Sequence, residues 1–169
     1  MDARFSVRPT TADDAEELTE LLHLAYGEHL VEGLNFTAAT QSVQTTRHRC
    51  AGGGSWVVVA PGGIRATATM SLPPSSSLQK LTAAAREPRR AWLNQVAVHP
   101  ELRGTGLASV LFHGALEWAR DAGARSVGVD TAEPATALVG LYEHWGFTRA
   151  DTVHWHGKTY DSTVLIRSL

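Results

Sequence analysis

The chain has 169 residues, of which 43% are hydrophobic and 19% charged; these values suit one compact domain and exclude an intrinsically disordered chain. A formal net charge of −2 and a pI near 6.4 argue against a general nucleic-acid binder, which carries a basic face. Cys50 is the only cysteine, so no internal disulfide can form; no apolar run approaches a membrane span, and Met1-Asp2-Ala3-Arg4-Phe5 lacks the apolar core of a signal peptide, which predicts a cytoplasmic protein with no membrane partner.

Phe5 to Arg8 reads as a first strand, stopped by Pro9. Thr10-Thr11 then supplies a helix cap, with Asp13 and Asp14 in the first turn where the helix dipole favours them. Leu18, Leu21, Leu22 and Ala25 follow at helical spacing and predict a helix to about Tyr26. Gly27 to Phe36 reads as a connection, Thr37 to Cys50 as a second, more polar helix, and Gly52-Gly53-Gly54 as its end. Trp56 to Ala60 and Ile64 to Leu72 flank the turn Pro61-Gly62-Gly63 and predict a hairpin. Pro73 to Ser77 breaks the pattern, and Leu78 to Arg90 is a long excursion with a short helix, of the kind that serves as a lid or substrate loop.

Ala91 to Val98 is the next strand, and a helix runs from Leu107 to Asp121 on the face of Leu107, Val110, Leu111, Gly114, Ala115 and Trp118. Ser126 to Thr131 is a strand, and Pro134 suits the start of a helix carrying Leu138, Leu141, Tyr142 and Trp145. Thr148 to Val153 and Thr163 to Arg167 read as a closing antiparallel pair. The order β-α-α-β-β-β-α-β-α-β-β, without a linker, predicts a single α/β (α+β) domain over residues 1–169. Its sheet is mixed, mostly antiparallel, with helices on both faces. The segment from Ala91 to Thr131 is a right-handed parallel crossover.

The junction Val96-Ala97-Val98-His99-Pro100-Glu101-Leu102-Arg103-Gly104-Thr105-Gly106-Leu107-Ala108 carries the most information. A glycine-rich loop opening a helix leaves several backbone N–H groups without intrahelical partners, at the positive end of the dipole. Gly104 and Gly106 let an anion approach the main chain, and Arg103 adds a forked, permanent charge. A nucleotide-triphosphate loop requires Lys-Ser/Thr after the glycines, and Leu107-Ala108 stands there instead. A dinucleotide fingerprint requires a third Gly or Ala where Ser109 stands, which makes a dinucleotide-binding oxidoreductase a distant reading. A plain tight turn is the bland alternative.

Arg103-Gly104-Thr105-Gly106-Leu107-Ala108 resembles the Arg/Gln-x-x-Gly-x-Gly/Ala motif of the GCN5-related N-acetyltransferases. The lead-in Val96 to Glu101 and the segment Leu141-Tyr142-Glu143-His144-Trp145-Gly146-Phe147 are similar to that family as well, and the element order resembles its fold end to end. The resemblance implies acetyl-CoA as cosubstrate, with its pyrophosphate on the amides from Arg103 to Ala108 and its pantetheine on the backbone of Val96 and Val98, as if adding a strand. The thioester then sits where the strands Ala91–Val98 and Ser126–Thr131 splay apart, and Tyr142 is the acid that protonates the leaving thiolate. The Tyr142 stripe also fits a core aromatic.

Two positions depart from the family pattern. Ala135 stands where related chains often carry Asn, and Trp92 stands where some carry a Glu base. Asn94 is placed to order a water, while Glu28, Glu32, His29, His99 and Glu133 are further base candidates that read equally as solvated side chains. His154 and His156 share a face of a strand without a third ligand, so no metal is expected. Trp56, Trp92 and Trp155 suit an apolar acceptor pocket or the core, and Cys50 reads as inert. The expected reaction is direct acetyl transfer to a primary amine, a small molecule being favoured over a protein because no accessory domain is present. A catalytically silent acyl-CoA-binding module is the alternative, and a homodimer through the C-terminal strands is compatible with the pattern.

Overall fold

A computed structural model describes residues 5–169. Seven strands hydrogen-bond in the order β1-β2-β3-β4-β5-β7-β6. They are β1 (Ser6–Pro9), β2 (Ser55–Ala60), β3 (Gly63–Ser71), β4 (Arg90–Val98), β5 (Ser126–Ala132), β6 (Thr148–Val153) and β7 (Ser162–Ser168). The helices are α1 (Ala15–Val31), α2 (Val43–Cys50), α3 (Ser76–Leu81), α4 (Leu107–Asp121) and α5 (Thr136–His144). β1–β2, β2–β3, β5–β7 and β6–β7 pair antiparallel, while β4 and β5 pair parallel, as a strand–helix–strand crossover requires. Two compact units can be distinguished, one formed by the chain up to Met70 with Gln95–Glu117, the other by Ser71–Asn94 with Trp118–Leu169; β4 and α4 contribute to both.

In the first unit, Val57 and Val58 are successive residues of β2, so their side chains leave opposite faces. Val57 clusters with Leu18, Leu22 and Ala25 of α1 and with Ala97 of β4. Val58 clusters with Leu107 and Leu111 of α4 and with Ala66 and Ala68. Helices thus cover both faces of this part of the sheet. Val58 faces Ala66 and Val59 faces Ile64, which makes Arg65 the extra residue of a bulge. The Arg65 carbonyl accepts the His99 amide at 2.8 Å and so holds the end of β4.

α1 runs past the predicted end at Tyr26 and through Gly27. Its stop is Gly33, at a φ of +83°, where the amides of Gly33 and Leu34 bond back to the carbonyls of Leu30 and His29. The predicted helix Thr37–Cys50 is broken: Thr37–Ala39 is a single 3-10 turn, and Ser42 caps α2 by accepting the Thr45 amide at 3.1 Å. The interruption lets buried Gln41 accept from Gln95 of β4 at 2.9 Å.

In the second unit, the excursion before β4 packs as part of the core. Leu78 and Ala85 cluster with Trp92, Val153 and Val164, and Thr82 donates to Asp151 of β6 at 2.6 Å. α5 begins one residue after Ala135, so Pro134 precedes the helix instead of opening it.

α1 is anchored by an ion pair at its entry. The Arg8 guanidinium donates to both oxygens of Asp14 at 2.7 Å, and the Thr11 amide donates to Asp14 Oδ2 at 2.7 Å. Chiefly through Arg8, these bonds hold the Asp14 carboxyl well below the usual carboxylate range. The stabilisation is therefore complete above the unfolded value of about 3.9 and fades as pH falls below it. Asp14→Ala is expected to lose about 1–2 kcal/mol in urea unfolding at pH 7. The gap to the wild type should narrow steadily in the same titration carried out below pH of about 4.

Candidate active site

The turn from β4 into α4 is built mostly from its own hydrogen bonds. His99 caps the 3-10 turn Pro100–Leu102, its carbonyl taking the Leu102 amide at 2.8 Å and its Nδ1 the Glu101 amide at 3.4 Å. The amides of Arg103 and Thr105 are spent on the carbonyls of Pro100 and Leu102, at 3.3 and 3.4 Å. Gly104 and Gly106 have φ of +75° and +87°, a region that disfavours any residue with a Cβ. Their amides donate to no described group. Leu107 and Ala108 lie in the first turn of α4, ahead of Val110, whose amide bonds to the Gly106 carbonyl at 3.1 Å, and amides this early have no intrahelical acceptor. The main-chain donors available to an anion are therefore those of Gly104, Gly106, Leu107 and Ala108, and not the whole run from Arg103.

The Arg103 side chain is not aimed at its own loop. It ion-pairs with Glu28 and donates to the Ala25 carbonyl at 2.9 Å, bracing the loop against α1. This occupies Glu28, one of the base candidates. His99 is occupied by its cap, and Asn94 donates to Ser71 at 3.2 Å. His29 of α1 pairs at 3.2 Å with Glu32, the residue that follows the helix, and Glu133 is exposed.

Pattern reading missed Tyr26. The sequence marks Tyr26 only as the approximate end of the first helix. The Tyr26 phenol donates to the Val96 carbonyl at 2.9 Å, so this group of β4 is already paired. Burial pushes the phenol up to about 12, which keeps it a donor. Val98 is half-buried in the cluster formed by Leu107 and Leu111.

In the second unit, parallel pairing runs from Arg90 opposite Ser126 to Leu93 opposite Val129. Tyr142 lies on α5 and is buried, with ring centroids 5.9 Å from Trp145 and 6.0 Å from Phe147. The Phe147 amide bonds to the Tyr142 carbonyl and the Gly146 amide to that of Glu143, with Gly146 at a φ of +83°. The Leu141–Phe147 segment is therefore a helix stop with its accompanying apolar contact. That geometry accounts for Gly146, Phe147 and the packing of the Tyr142 ring.

The tryptophans are divided. Trp56 packs beside Val58, while Trp92 and Trp155 both direct their indole N–H to Asp130. His154 and His156 lie beyond the end of β6, and His154 pairs with Asp161 at 2.8 Å. Among the described residues no group of three or more His, Cys, Asp or Glu is placed to hold a metal ion, and no helix is long and apolar enough to cross a membrane. Burial pushes the Cys50 thiol up, away from a nucleophilic thiolate.

The family model described as the acetyltransferase (GNAT) family matches residues 15–147, which includes both the glycine turn and the Tyr142 segment. The chain belongs to the GNAT acetyltransferase family. It is accordingly an acetyl-CoA-dependent N-acetyltransferase. Among solved structures, this GNAT chain is similar to the Drosophila melanogaster polyamine N-acetyltransferase, with 16% identity over 98% of this chain and 100% of that one and a TM-score of 0.75. It is similar also to the Escherichia coli ribosomal-protein-S18-alanine N-acetyltransferase, with 15% identity over 97% and 93% and a TM-score of 0.72. The PaiA N-acetyltransferase of Thermoplasma acidophilum, in complex with coenzyme A, gives 12% identity over 98% and 99% and a TM-score of 0.72. At these identities the likeness establishes the fold. No curated protein matches in sequence.

The Tyr26 hydroxyl gives the site a direct test. Tyr26→Phe deletes one buried hydrogen bond to β4 and is expected to lower stability by about 0.5–1.5 kcal/mol in denaturant unfolding. A loss well below that range would mean that the Val96 carbonyl finds another donor.

Proposed function

We propose that the protein is a single catalytic domain over residues 1–169 that transfers acetyl from acetyl-CoA directly to a primary amine of a small molecule, in the cytoplasm. The observation that carries the reading is the set of open amides at Gly104, Gly106, Leu107 and Ala108, at the positive end of α4. They are suited to the pyrophosphate of the cosubstrate. Arg103 keeps the loop in shape from α1, while Thr105 closes the turn through its hydroxyl to the Leu102 carbonyl at 2.6 Å.

The pantetheine amides pair with the backbone of Val96 and Val98. The Val96 carbonyl keeps one lone pair beyond the one Tyr26 uses. In the transfer step the amine lone pair adds to the thioester carbonyl to form the C–N bond, and the tetrahedral intermediate then collapses with the C–S bond electrons leaving on sulfur. The Tyr142 hydroxyl gives its proton to the departing thiolate, and the proton released by the amine returns through water to the Tyr142 oxygen. Cys50 takes no part, since burial disfavours its thiolate.

Two variants test this. Gly106→Glu puts a carboxylate and a strained φ into the cradle and should abolish the heat of CoA binding in calorimetry. Tyr142→Phe should bind CoA as the wild type does but lose turnover by roughly a hundred-fold, the ordinary scale of a lost general acid. CoA binding that survives Gly106→Glu would remove the cradle, and an unchanged rate in Tyr142→Phe would remove the acid.

A further inference from the structure

Val96 and Val98 turn their main-chain groups to an edge of β4 that no described strand covers. The His99 amide donates to the Arg65 carbonyl of β3 at 2.8 Å, and successive residues of a strand direct their N–H and C=O to opposite edges. Val96 and Val98 therefore direct theirs away from β3, to the side on which pairing with β5 stops at Leu93. A carbonyl so placed needs a donor from outside the sheet. For Val96 that donor is the Tyr26 hydroxyl, at 2.9 Å.

The packing of Tyr26 delivers the hydroxyl to this point. Its ring is buried in the cluster that joins α1 to Val57 and Ala97, with its centroid 5.3 Å from that of Phe36. A ring held on several sides has little freedom to swing away. Burial keeps the phenol neutral, so it stays a donor at neutral pH. It fills one lone pair of the Val96 carbonyl and leaves the other in a fixed direction. The preceding residue is held independently, since Gln95 donates to Gln41 Oε1 at 2.9 Å and that oxygen also accepts from Arg49 at 3.2 Å. The placement of the strand therefore does not hang on Tyr26 alone, whereas the orientation of the Val96 carbonyl does.

We propose that the Tyr26 hydroxyl is a positioning group for the pantetheine arm of acetyl-CoA: it orients the Val96 carbonyl for an amide N–H of the arm, and so sets affinity for that half of the cosubstrate alone. This rests on the acetyl-transfer reading above, in which the arm pairs with Val96 while the diphosphate lies on the glycine turn. Neighbouring residues of α1 hold the two halves of that site, the Tyr26 hydroxyl the strand and the Ala25 carbonyl, through Arg103, the loop. These are separate bonds to separate segments, so one can be removed without the other.

Calorimetry with two probes separates the halves. One is CoA; the other is adenosine 3′-phosphate 5′-diphosphate, which carries the nucleotide and the diphosphate but no pantetheine. Tyr26→Phe should weaken CoA by about five- to tenfold and leave the nucleotide within about twofold of the wild type. Gln95→Leu deletes the neighbouring anchor of β4 and controls for a loosened strand; both probes should stay within about twofold. Urea unfolding of each variant sets conditions under which it is fully folded.

A loss for the nucleotide as large as that for CoA marks a merely structural effect and overturns the proposal. So does an equal loss of CoA affinity in Gln95→Leu, and so does CoA binding that Tyr26→Phe leaves unchanged. A wild type that binds neither probe refutes the acetyl-CoA cradle itself, and the proposal falls with it.

Discussion

The constraint on which the site depends is the hydrogen-bonding demand of the main chain where β4 becomes α4. A strand must surrender its ladder bonds and a helix must begin without its first four acceptors, so donors accumulate at that corner. The chain meets part of the demand internally, by tying the amides of Arg103 and Thr105 to Pro100 and Leu102. It leaves those of Gly104 and Gly106 open at positive φ, in a conformation that nearly any other residue would resist. A corner with open main-chain donors is the consequence of a backbone that is only partly satisfied.

Helix α1 makes that corner a fixed object. Arg103 reaches it through Glu28 and the Ala25 carbonyl, and Tyr26 reaches from it to the Val96 carbonyl. The exposed ion pair contributes little by itself, while the buried phenol and the cluster of Leu18, Leu22 and Ala25 against Val57 and Ala97 do more. The bulge at Arg65 adds a further restraint, since its carbonyl holds the His99 amide where the strand ends. Three independent contacts therefore fix the strand and loop from which the proposed cosubstrate contacts come.

The second unit follows a different logic, in which tryptophan rings position a charge. Trp92 has a buried ring that satisfies the core and an N–H that needs an acceptor, and Asp130 serves that need. The absence of a side chain at Gly128 is what permits both. At the end of α5, Tyr142 likewise combines a structural ring with a hydroxyl that the helix stop does not require.

The glycine turn, the order of strands and helices, and the identity of the helix following the turn were legible in the sequence, because each is encoded by neighbours within a few residues. Alternation, helical spacing and glycine punctuation are local. The break before α2, where Gln41 bonds to Gln95, and the packing of Leu78 and Ala85 were not, since each depends on partners distant in the chain. The same division holds for the side chains. The sequence alone determined which amides could be left open at the turn, through the glycines that allow positive φ. Only the tertiary structure decided that Arg103 faces α1, that Tyr26 caps a carbonyl of β4, and that Asp130 lies between two indoles, because side-chain direction is set by whatever packs against it.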